Sequence, residues 1–460
     1  MKPFESIGVW FLPSAPDSQI PGTLTFSKDG GLSLKLAGKF RPGLSIENAA
    51  YPLIQGVVSD SPYGRFITLF NCFRTNLQTG MPGISLETIC ANHGFAGSDY
   101  VDSEAMLFDS ALLSFSPLAA WLGYSGLSVD YSMNTAHWVR PEPIRANVAD
   151  AGISAAFTKK VHSDLISRVV SFEETPIVAI RDFGRATANE IHSRFVGPLL
   201  RLMVFVSGNT SSIDRYTLRI TADNDADSSD FERLYSPFES PEKGGAKTSR
   251  SLLFALDDVP GGFESFLRTW FRFVETHRAF CAMFFSYGYE KHDYVERRFL
   301  LQMLATECFL KEERPQDPAL KAFEDFRESF LNANLLLTEP YATLAMPSVI
   351  ELAAPTLFAK SVDRHWPVIC DVVGTTQNRF IETLFATFNH AKNYGERGAN
   401  TLVGPNLYWL SERLKAVLTI CVLRCLGFAD EKILQIVAQN AEMAHLRAIK
   451  APWEELNDGA

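Results

Sequence analysis

The 460-residue sequence predicts an α+β multidomain protein: a β-rich, sandwich- or barrel-like amino-terminal region followed by an all-α helical bundle. Three observations predict it. Up to about residue 262, short apolar runs alternate with turns rich in Gly, Pro, Asp and Ser. From 263 onward, apolar residues recur at helical spacing with few breakers. The length exceeds one ordinary core, so two or three domains are expected.

The β elements come first. The segment 23–36 reads as two runs around Asp29-Gly30-Gly31, with Leu32, Leu34 and Leu36 on one strand face. Further strands are expected at 51–58, 65–73, 127–132, 176–183 and 216–222. Between the last two, 186–208 reads as a helix running into a strand at 199–206, and 223–248 as a surface loop. Helices are expected at 263–285, 294–310, 319–337, 366–393 and 406–426. In the second of these, Phe299, Met303, Thr306 and Phe309 share a face, and in the last Leu407, Leu410, Leu414, Val417, Cys421 and Cys425 stay in register. Gly427 stands where a carboxy-terminal cap belongs, and Asp430 can cap the helix that follows. The expected division is 1–262 as one β-rich domain or two with a break near 150, 263–290 as a helical connector, 291–450 as the helical domain, and 451–460 as a fraying tail.

Composition excludes some functions. The net charge of −10 argues against a coating nucleic-acid binder, whose affinity rests on phosphate contacts, but leaves room for one local basic cleft. Seven cysteines without CxxC spacing suggest neither zinc nor a disulfide framework. No leader peptide and no run of 18 apolar residues is apparent, so a cytoplasmic protein without membrane association is expected. Phosphate loops, HExxH and GxSxG are absent, and the nine histidines show no metal-binding spacing; no metal or cofactor is expected. Trp10 and Trp121 read as core, with a ligand groove as the alternative. Asp223–Asp230 reads as a solvated loop and Arg364-His365-Trp366 as a helix start.

Certain segments resemble a known family. Gly8-Val-Trp10-Phe-Leu-Pro13, Pro21-Gly-Thr-Leu-Thr-Phe26, Leu53-Ile-Gln-Gly56, Ile67-Thr-Leu-Phe70 and Trp121-Leu-Gly-Tyr-Ser-Gly126 resemble, in that order, the ApeA amino-terminal domain. Phe299-Leu-Leu-Gln-Met-Leu-Ala305-Thr-Glu307 and Asn406-Leu-Tyr-Trp-Leu-Ser-Glu-Arg-Leu through Leu423-Arg-Cys-Leu-Gly427 resemble the ApeA-like HEPN domain. The resemblance implies an anti-phage, abortive-infection protein. It also implies a homodimeric HEPN ribonuclease that cuts RNA, transfer RNA among the candidates, without metal. The β domain would be a sensor or autoinhibitor answering a phage-derived trigger.

The HEPN signature is Arg, a polar residue, a few more residues, then His. The histidine moves protons and the arginine stabilises charge on the phosphate. Alignment to the family puts 387–395 on it, with Phe388 in place of the Arg, Asn389 as the polar partner and Asn393 in place of the His. Neither replacement can do the original chemistry. The catalytic candidates are therefore Glu307, Asn389 and His390, with Lys392, Arg397 and Arg379 as RNA-binding cations. Arg272…His277 and Arg185…His192 also match the spacing, but about one or two such matches arise by chance in this composition. Three readings stay open: a ribonuclease with a displaced site; a degenerate HEPN protein that binds RNA or a protein as regulator or scaffold; or a β-sandwich binder of a phage or cell component with a helical dimerisation domain.

Overall fold

A computed structural model describes residues 1–27, 30–40, 49–78, 83, 85–133, 135–164, 169–208, 211–221, 228–234, 252–286, 294–313, 349–393, 398, 400–449 and 451. The expected helix at 319–337 lies outside them. Contacts divide the chain into two compact units, Met1–Arg268 and Thr269–Ala460.

The first unit begins with a closed barrel. Strands β1 (Phe4–Leu12), β2 (Ala15–Phe26), β3 (Leu32–Leu36), β4 (Ala50–Val58), β5 (Phe66–Gln78) and β6 (Leu86–Gly97) pair antiparallel in the ring β6-β3-β2-β1-β4-β5, which closes through β5–β6. Alternation explains the closure, since every second residue points inward. Leu32, Leu34 and Leu36 are buried as expected, beside Leu24, Ile54, Ile67 and Ile89. Gly30 turns the β2–β3 hairpin with φ 78°. Trp10 fills the barrel. Its indole Nε1 donates to the carbonyl of Gly22 at 3.3 Å, and a Cβ on Gly56 would stand 2.3 Å from its ring. Glu87, fully buried, accepts from Tyr51 Oη at 2.9 Å, Arg74 Nε at 2.8 Å and Phe40 N at 3.2 Å.

The second half of β6 carries the sheet outward. Residues Gly94–Gly97 pair with β16 (Ser229–Leu234), and the sheet continues through β15 (Ile213–Ile220), β8 (Ser110–Phe115), β13 (Val169–Arg181), β12 (Ala151–Asp164) and β11 (Ile144–Val148). Strands from both sides of residue 150 thus share one sheet. Two small pairs stand apart from it: β7 (Leu107–Phe108) with β14 (Ala186–Thr187), and β9 (Leu127–Asp130) with β10 (Thr135–Trp138). Short helix α1 (Leu118–Leu122) contributes Trp121, which packs among Phe115, Ile153, Leu199 and Phe263; like Trp10 it is core and not a groove.

Two expectations change here. Residues 199–206 are helical: α2 (Ala188–Ile191), a π turn at His192–Val196 and α3 (Gly197–Ser207) run continuously. A helix buried on nearly all sides reads as an unbroken apolar run, which periodicity cannot separate from a buried strand. Within the expected loop at 223–248, Ser229–Leu234 is strand β16, carrying buried Phe231 and Leu234 among its polar residues.

The second unit is helical. Helix α4 (Gly262–Thr276) spans the division between the units; α5 (Arg278–Ser286), α6 (Val295–Glu313), α7 (Val349–Asp363), α8 (Trp366–Val373), α9 (Gln377–Asn393), α10 (Pro405–Cys425), α11 (Asp430–Gln439) and α12 (Ala441–Ala448) follow. Helix α6 packs against α5, α7, α9 and α10. Its face Phe299, Met303, Thr306 and Phe309 is buried as the spacing predicts. Gly427 takes φ 86° after α10. Asp430 is the first residue of α11 and not its cap; Ala429 holds that position without a side-chain bond, and Asp430 pairs with Arg424.

Candidate functional site

The motif segment forms the end of α9. Apolar residues at helical spacing turn Phe380, Leu384, Thr387 and Phe388 inward, so Phe388 is only 4% exposed. The position where the signature needs a guanidinium is thus part of the core. Thr387 Oγ1 accepts the backbone N–H of Leu402 at 3.1 Å and ties the returning chain to the helix. Asn389, one residue on, is exposed. His390 is half-buried, and its Nδ1 is shielded from solvent without a hydrogen-bond partner. Lys392 is exposed, with Nζ 6.0 Å from the centre of the Phe388 ring one turn back, at the outer limit of a cation–π contact.

Asn389, His390 and Lys392 therefore share the last turn of one helix. Glu307 lies half-buried on α6, which packs against α9. Beside it, burial raises the Cys308 thiol pKa, helped by the carboxylates of Glu312 and Glu307. Arg379 is not brought to this turn. It stands in the first turn of α9, its backbone N–H donating to Thr376 Oγ1 at 3.4 Å, about 15 Å along the axis from Asn389. Arg397 and the side chain of Asn393 lie outside the described residues. Chemically, the turn offers an imidazole for proton transfer, an amide for hydrogen bonding and an ammonium for a phosphate.

The spacing matches elsewhere are structural. His277 is buried at the turn between α4 and α5, its Nδ1 3.1 Å from the Phe273 carbonyl, stacked between Phe273 at 4.4 Å and Phe309 at 5.5 Å. His192 stacks on Tyr216, and its pKa falls to about 4 through burial and then the charges of Arg233 and Arg201. His365 begins α8, its pKa lowered by burial and then by Arg424 and Arg364.

Two polar centres of the helical unit were not read from the sequence. Arg413 is 1% exposed. Its Nε donates to the Val373 carbonyl at 3.2 Å and its Nη2 to those of Leu446 and Ile449 at 3.1 Å each, so one guanidinium meets the carboxy-terminal ends of α8 and α12. Gln302 accepts from Ser411 Oγ at 2.6 Å within the α6–α10 seam, where Arg298 also pairs with Glu412 at 2.5 Å. A buried Arg looks like a surface Arg in sequence; its only mark here is its place between Leu410 and Leu414.

Among the described residues no group of His, Cys, Asp and Glu could hold a metal ion, and no helix is long and apolar enough to cross a membrane. No curated protein and no solved structure matches the chain. Residues 5–270, from the barrel through the outer sheet to α4, match the family described as ApeA N-terminal domain 1. That match covers more than half of the sequence, and the chain belongs to the ApeA N-terminal domain 1 family.

Proposed function

We propose that this chain is an anti-phage defence protein whose helical unit acts on RNA through the last turn of α9. Family membership over 5–270 supports the defence role. The RNA reading is supported by three polar side chains within four residues at the end of α9, Asn389 and Lys392 exposed and His390 half-buried, on a helix that packs against α6, which holds Glu307. In this reading His390 takes the proton from a ribose 2′-hydroxyl, which attacks the adjacent phosphorus as the bond from phosphorus to the 5′-oxygen breaks; the products are a 2′,3′-cyclic phosphate and a 5′-hydroxyl that takes its proton from water, and Lys392 stabilises the developing phosphate charge. The β unit senses a phage-derived trigger or restrains the helical unit, and two copies act together in the cytoplasm.

Burial of Phe388 and the distance of Arg379 favour a second reading, in which the same turn binds RNA or a protein partner without cutting it. The test is cleavage of transfer RNA and total RNA by the purified full chain without metal, beside His390→Ala and Lys392→Ala. Cleavage lost in both variants supports the nuclease. Binding without cleavage, weakened by Lys392→Ala, supports the second reading. Cleavage unchanged in both variants removes α9 from the chemistry.

A further inference from the structure

The junction between the barrel and the outer sheet encloses a charged recess. Arg233 of β16 lies opposite Phe95 of β6, and His93 stands two residues earlier on the same strand face, so the two are diagonal neighbours. Arg233 is only 4% exposed and His93 9%. The loop 98–106, between β6 and β7, contributes Val101, Ser103 and Glu104, and Phe108, Ala188 and Asn189 complete the walls. Arg233 is set by its Nη1, which donates to the Ala188 carbonyl at 3.0 Å, and by its Nη2, which donates to Asn189 Oδ1 at 2.7 Å. His93 stacks on Phe70 with ring centres 5.3 Å apart.

A carboxylate of the chain itself sits at the mouth. Glu104 accepts from His93 Nε2 at 3.1 Å and from Asn71 Nδ2 at 3.4 Å. Asn71 offers its amide from the middle of β5, where it takes φ 52°, a conformation that asparagine tolerates better than most residues. Burial, and then the charge of Arg233, lower the His93 pKa against the opposing pull of Glu104. Near pH 7 the imidazole is therefore neutral and acts as a hydrogen-bond donor.

Three observations make Glu104 an exchangeable occupant. First, its side chain is 43% exposed, and an ion pair so open to water contributes little. Second, the loop is fastened without it: Val101 N donates to Thr68 Oγ1 at 3.2 Å, and Tyr100 meets Phe11 and Phe66 edge-on at 5.9 and 5.0 Å. Third, His93 and Asn71 are carried by the paired strands β6 and β5, so both donors stay in place when the Glu104 side chain swings out. With Glu104 in, the recess keeps about 10 Å³, room for a single water. A ligand must therefore replace Glu104 and cannot sit beside it.

We propose that this recess binds the carboxylate of a small organic acid, which takes the place of Glu104 on His93 and Asn71 under the field of Arg233. The ligand is identified by the group it displaces, since the donors are already set for a carboxylate. The site is independent of what α9 does to RNA.

The probe is propionate, which reproduces the Glu104 side chain, with inorganic phosphate at equal ionic strength as the contrast. Nuclear magnetic resonance of the full chain, labelled at its nine histidines, follows the imidazoles, and His93→Gln assigns the signal of His93. Propionate is expected to shift that signal saturably in the parent chain. Glu104→Ala should tighten the binding about tenfold, because the site no longer waits for its internal occupant to leave. Asn71→Gly keeps the backbone conformation and removes one donor, so it should weaken binding. Phosphate should bind Glu104→Ala more weakly than propionate does. A His93 shift that never saturates in the parent chain would overturn the proposal, since Glu104 would then be a fixed part of the fold. So would a Glu104→Ala variant that binds no tighter than the parent, or phosphate binding as tightly as propionate.

Discussion

A methyl group on Gly56 would press against the face of Trp10 inside a closed barrel, where neither can move aside. Gly56→Ala is therefore expected to lower the stability of the β unit by about 2–3 kcal/mol, read as a shift in its urea midpoint. Gly8, Trp10, Gly22 and Gly56 lie within the segments that carry the family resemblance. The structure explains the last three physically as a tryptophan and the two glycines that leave room for it. His192 gives a pH prediction. Its imidazole is held neutral down to about pH 4, against an ordinary value of 6.5, so between these values the unfolded chain binds the proton more readily. Its contribution is fully present above pH 6.5 and is lost as the pH falls towards 4, by roughly 3 kcal/mol in all. Burial and then Arg233 lower the pKa of His93 in the same direction. Urea midpoints of the β unit measured from pH 7.5 to 4.5 should fall, and His192→Phe should flatten that slope.

Helices and strands with one buried face were legible in the sequence: the leucines of β3 and the faces of α6 and α10 lie where their spacing places them. Elements that break the pattern were not. Helix α3 is apolar but for Arg201 and Ser207, and β16 holds buried Glu232 and Arg233 with its apolar residues. Of the candidate site, the polar residues of the α9 turn could be named, but the depth of Phe388 could not, because apolar replacement and core burial look alike in one sequence. The structure makes that depth consequential. Phe388→Arg is expected to destabilise the helical unit and not to restore an active site, since the new cation would be buried in the core. A denaturation midpoint below that of the parent, without a gain in RNA cleavage, is the expected outcome. Arg413→Met is expected to cost about 2–4 kcal/mol, because three carbonyls at two helix ends would lose the donors they now share. Helical circular dichroism followed through urea would register it.

At the scale of the molecule, an ApeA-type β unit stands on one chain with a helical unit that carries His390 near the end of α9. With the β unit as sensor and the helical unit as effector, neither loss of recognition nor loss of chemistry should leave defence intact. If the α9 turn serves defence, His390→Ala should reduce phage resistance without lowering the level of folded protein. The most direct measurement is RNA integrity in phage-infected cells expressing the full chain or its His390→Ala variant at equal levels. RNA fragmentation that appears on infection with the parent chain, and disappears with the variant while phage yield recovers, is the predicted result. Equal fragmentation and equal resistance in both would contradict the assignment of RNA chemistry to the α9 turn.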